Sequence, residues 1–120
     1  MTINLTRSKS HWDWSVREHG QELAAGFTKT KAAASSDAAV WIAETQELRA
    51  IAAGRIPRGA AIRIKPEWMD PGDENFTFFA IETQLEGMNE IRVRAIHKTT
   101  GQPGIGIQSI HIDHIESHSR

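Results

Sequence analysis

From Ala60 onward, apolar and polar residues alternate with a period of two in short runs separated by turn chemistry. That pattern commits this half of the chain to strands. In AAIRIK (60–65), Ile62 and Ile64 face one way and Arg63 and Lys65 the other. EIRVRAIHK (90–98) sets Ile91, Val93 and Ala95 against Arg92 and Arg94. FTFFAIET (76–83) is a dense aromatic run, with Phe76, Phe78 and Phe79 expected in the core, and IGIQSIHI with DHIES (105–117) completes the set. QLEGMN and TTGQPG have the composition of tight turns, whereas PEWMDPGDEN (66–75) is a longer acidic connection. Four or five short strands in about sixty residues, one long early loop and tight later turns predict a small closed barrel.

The first half reads differently. After a polar lead-in, HWDWSVRE (11–18) places Trp12, Trp14 and Val16 on one face. His19–Gly20 makes a turn, and Leu23, Ala25 and Phe27 share a face of the next run, so a hairpin over about 11–27 is expected. Thr28 or Thr30 can cap a helix from Lys31 to Ala53, because a short side-chain oxygen satisfies a free N–H at its start. Its apolar stripe is Ala34, Ala38, Trp41, Thr45, Leu48 and Ala52, widened by Ile42. Gly54 and Pro57 stop it, and Arg55–Gly59 is the expected junction. The fold class is therefore α+β: a ββα unit over 1–54 packed on a barrel over 55–120, the two forming one cooperative domain.

AIRIKPEWMDPGDENFTFFAIE, EIRVRAI and IQSIHIDHIE together follow the order of SH3-like barrels. There, a strand and a long divergent loop precede three meandering strands and a short final segment. Residues 59–116 resemble that family, and are similar also to small bacterial and mobile-element barrel proteins with a G-x-x-I-R-I-x-P-E-W type opening. The resemblance implies a recognition module and transfers no functional residue. A mobile-element setting would imply modulation of a host nucleic-acid-processing complex. Nothing comparable covers residues 1–54.

Charge and composition narrow the function classes. Lys and Arg number 14 and Asp and Glu 15, for a net charge of −1. Each half is close to neutral, so diffuse attraction to nucleic acid is not expected from either. The absence of cysteine excludes disulfides and thiolate metal sites and fits the cytoplasm. No apolar run has the length of a membrane span or the form of a signal peptide, so membrane association is not expected.

Three clusters carry potential chemistry. Glu67, Asp70, Asp73 and Glu74 surround Trp68 in the long loop. Their spacing matches no calcium loop and fixes no acid–base pair, so the choice lies between a solvated loop and a partner-binding surface. Trp68 is either an internal plug or an exposed anchor for a partner. Arg63, Lys65, Arg92, Arg94 and Lys98 would form a cationic face for nucleic acid if adjacent strands bring them together, though no aromatic is expected among them. His111, Asp113, His114, Glu116 and His118 have ligand chemistry but not zinc spacing; on an extended strand His111 and His114 fall on opposite faces. No metal or other cofactor is expected, and no serine lies in a nucleophile turn. The leading expectation is a non-enzymatic accessory or regulatory protein binding a protein partner through Trp68, Glu67, Asp70, Asp73 and Glu74. The alternative is a nucleic-acid-binding module. A homodimer is open to any chain with unpaired strand edges.

Overall fold

A computed structural model describes residues 1–120, in a mixed α+β arrangement of one helix and two sheets, neither of them closed. The chain divides into two compact units, Met1–Gln46 and Glu47–Arg120.

The first unit is an antiparallel meander of β1 (Thr2–Ser8), β2 (His11–Glu18) and β3 (Gln21–Thr28), followed by α1 from Lys31 to Ala52, whose last residues belong to the second unit. The element order is thus βββα, not ββα. The polar lead-in is a strand because Ile3 and Leu5 fall directly opposite Val16 and Trp14, on the same apolar face. His19 and Gly20 both adopt positive φ, 52° and 77°, as the two-residue hairpin turn between β2 and β3 requires. Thr30 caps the helix, its hydroxyl accepting from Ala33 N–H.

Within this unit the helix covers the Trp12, Trp14 and Val16 face. Val16, Ala34 and Ala38 are fully buried, and Lys31 Nζ lies 5.5 Å from the Trp12 ring centre. A register shift beside Arg17 leaves Leu23 as an extra residue on β3, and Ala24 and Gly26 turn inward. Leu23, Ala25 and Phe27 do share a face, but it is the exposed one. Along α1 the innermost row steps by four, through the buried Ala34, Ala38 and Ala50 and the half-buried Ile42 and Gln46. A step of four advances the contact line about 40° each time, so the row drifts away from the expected stripe. Leu48 is left 67% exposed.

The second unit contains β4 (Ala61–Ile64), β5 (Phe76–Ala80), β6 (Glu90–His97), β7 (Gln108–His111) and β8 (Ile115–Ser119). They form one antiparallel sheet in the order β7-β6-β5-β4-β8. The expected closure is not made, since β7 and β8 end the sheet and do not pair. Short 3-10 turns occur at Pro66–Trp68, Asp73–Asn75 and Ile112–His114. The core is the inward row of these strands: Ile62, Ile64, Phe78, Ala80, Ile91, Val93, Ala95 and Ile110, joined by Ile56 and Ala60.

Arg55–Gly59 is not a free junction but part of this core. Ile56 N–H and C=O bond the side chain and backbone of Gln84, Gly59 N–H donates to Ala80 C=O, and Arg58 N–H donates to Thr83 Oγ1. Phe79 lies opposite Ala61 and Arg94, on the outward face, and is half-buried. Ile105 and Ile107 precede β7 and are exposed.

One close approach in the first unit is open to test. A Cβ on Gly26 would stand 2.6–2.8 Å from the Trp14 indole, which lies across the strand from it. Gly26→Ala must displace that ring and is expected to destabilise the protein by about 1–3 kcal/mol in thermal or denaturant unfolding. An unchanged midpoint would show that the indole does not depend on the glycine.

Candidate acidic aromatic cleft

The long connection between β4 and β5 is held by its own acidic side chains. Asp73 Oδ2 accepts Asp70 N–H at 2.9 Å, and Glu74 Oε2 accepts Gly72 N–H at 3.1 Å. Pro66 starts the first 3-10 turn, and Trp68 at its end is 55% exposed. Trp68 does not plug the interior. Its indole stacks flat on the His114 ring, with centroids 3.7 Å apart and planes 10° apart.

His114 reaches that position because the strand expected through 105–117 breaks at Ile112–His114. His111 Nδ1 accepts Asp113 N–H there, capping the turn, and the Lys65 N–H donates to His114 C=O. The turn brings the His111 and His114 rings to 5.3 Å, on one side of the chain, contrary to the opposite faces of an extended strand. No group of three or more His, Asp or Glu side chains is placed to hold a metal ion.

The result is a shallow cleft of about 260 Å³ whose walls include Trp68, Asp70, Asp73, Glu90, His111 and His114. Three carboxylates line it and no Lys or Arg does. Glu90 sits directly across the β6–β7 ladder from His111. Of the acidic loop residues, Asp70 and Asp73 join Trp68 at the cleft, whereas Glu67 and Glu74 do not. Glu90, His111 and His114 are members that sequence reasoning missed as partner-binding groups, the two histidines having been weighed only as metal ligands. They are far from Trp68 in the chain, and only the strand register brings them to it.

The cationic residues do not act as one free face. Arg63, Arg92 and Arg94 are on the outward side of the sheet, with the aromatic Phe79 beside Arg94. Arg63 Nε, however, lies 3.4 Å from Glu116, and Arg92 makes a two-pronged pair with Glu82 at 2.9 and 3.0 Å. Lys98 lines a separate opening of about 390 Å³ together with Arg63, Glu74 and Glu116, so its charge also stands among carboxylates. Lys65 follows β4, and its N–H donates to His114 C=O.

The Glu82–Arg92 pair has a second task. Glu82 Oε1 accepts Arg92 N–H at 3.0 Å, replacing a ladder bond where β5 has ended. The side-chain bond from Arg92 holds the Glu82 carboxyl below its ordinary value of 4.5, against a smaller opposing effect of burial. The same bond raises Arg92. A carboxylate with a lowered folded-state value stabilises the fold above its unfolded value and loses that contribution as the pH falls through the folded one. Glu82→Gln is therefore expected to lower the unfolding midpoint at neutral pH, with the gap to the parent closing as the pH falls below the ordinary Glu value and through the lowered one. A gap independent of pH would show that the carboxylate's charge contributes nothing.

Compared with protein-family models, with curated proteins and with solved structures, the chain gives no match in any of the three.

Proposed function

We propose that this chain is a non-enzymatic recognition module whose acidic aromatic cleft takes a basic segment of a partner protein. The observation that carries this reading is the flat Trp68–His114 stack. It leaves an indole more than half exposed beside three carboxylates that have no Lys or Arg among them. An open indole face next to negative charge favours an Arg or Lys side chain, which stacks on the ring while its charge meets the carboxylates. His114 backs the indole, so the surface is already ordered before a partner arrives.

The strand order supports an SH3-like reading of the second unit. β4, a long loop, the β5-β6-β7 meander and a short β8 beside β4 follow the sequence of elements expected of that architecture. The analogy concerns architecture, and the function is argued from the cleft itself. The nucleic-acid alternative rests mainly on Arg94 and Phe79, because Arg63 and Arg92 have carboxylate partners of their own.

Fluorescence anisotropy with a labelled hexa-arginine peptide tests this reading. Binding is expected, and it should weaken as salt is raised. Trp68→Ala should reduce the affinity about 5- to 30-fold, the loss of one cation–π contact, while the fold is retained. A hexaglutamate peptide and a single-stranded oligonucleotide should not bind. Oligonucleotide binding that Arg94→Glu abolishes would overturn this reading in favour of the alternative.

A further inference from the structure

The outer edge of β3 carries no strand, and beyond its bulge at Leu23 the stretch from Ala24 to Thr28 holds neither a charge nor Pro to discourage one from pairing there. Past the polar Gln21 and Glu22, its outward face is apolar: Leu23 at 37% exposed, Ala25 exposed, and Phe27 at 73%. The other edge of the same sheet differs, since the matching face of β1 consists of Thr2, Asn4, Thr6 and Ser8. An exposed edge therefore coincides with an exposed apolar face only at β3.

That edge is complementary to itself. In an antiparallel pair related by a two-fold axis at Ala25, Leu23 of one copy falls opposite Phe27 of the other, and the reverse holds at the far end. Ala24 and Gly26 are paired likewise. Directly opposed residues share a face, so the two most exposed apolar groups of the strand cover each other. Charge agrees with the same register. Glu22 near the start of the strand comes to the end where the second copy carries Lys29, and neither side chain has an ion pair within the chain. A parallel arrangement would instead place Glu22 beside Glu22.

From this edge we infer that the chain self-associates, two copies joining β3 to β3 about Ala25 into a continuous six-stranded sheet. One strand edge buries less than a standard protein–protein interface, so the association is weak and concentration-dependent. The acidic aromatic cleft lies in the second unit and takes no part in it.

Cysteine trapping tests the register, because the chain has no cysteine of its own. In the full-length protein under mild oxidation, Ala25→Cys should form a symmetric disulfide dimer, since its two Cα atoms lie about 4.5–5.5 Å apart across the axis. Thr6→Cys, on the polar face of β1, should remain monomeric. Mixed Leu23→Cys and Phe27→Cys proteins should cross-link to each other faster than either does to itself. Independently of trapping, sedimentation of the unmodified chain should show a reversible dimer, and Phe27→Lys should weaken it about tenfold. Ala25→Cys cross-linking no faster than Thr6→Cys, or sedimentation that Phe27→Lys leaves unchanged, would overturn the inference.

Discussion

Burial of one side of β6 sets the five-stranded sheet. Ile91 and Val93 are fully buried and Ala95 nearly so, while Arg92 and Arg94 between them are exposed. A one-residue slip of this strand would expose three apolar side chains and bury two guanidinium groups, so its register has no competitor. β5 and β7 are registered on it, and through β5 so are β4 and β8. The same register places Glu90 opposite His111 and lets the turn after β7 present His114 to Trp68. The candidate cleft is therefore a consequence of the core pattern.

The acidic loop divides its labour in a way that composition does not reveal. Asp73 and Glu74 each spend an oxygen on a backbone N–H of the loop itself. They shape the connection, while Asp70 and Glu90 offer their carboxylates to the cleft with no partner of their own. On the outward face of the sheet the arrangement is the reverse. There Arg63 and Arg92 are matched by Glu116 and Glu82, so the basic residues largely serve the sheet. Around Trp68, by contrast, the carboxylates of the cleft meet no Lys or Arg.

Much of this architecture was legible from period alone. Alternation in AIRI and EIRVRAI gave the inward rows correctly, and His19–Gly20 gave its turn, because each depends on neighbours in sequence. The errors fall where a distant partner decides. TINLTRS has only two apolar residues and becomes a strand because β2 pairs along its whole length. Leu23 is displaced by a bulge that no local residue announces, which moved the apolar face of β3 outward. Arg55–Gly59 has the Pro and Gly of a linker, yet the backbone of residues 80–84 and the burial of Ile56 fix it in place. In the candidate cleft, Trp68, Asp70 and Asp73 could be nominated from composition. Glu90 could not, and His111 and His114 had drawn notice only as metal ligands.

The central claim is that the Trp68–His114 stack and its carboxylates form a prepared seat for a cationic side chain. Two-dimensional ¹⁵N NMR during titration with an arginine-containing peptide reads this residue by residue. The account predicts that the Trp68 indole N–H and the backbone amides of Asp70, Asp73, Glu90 and His114 shift together, while Phe79 and Arg94 stay in place. Shifts confined to the Phe79 and Arg94 face, or none at the Trp68 indole, would contradict it.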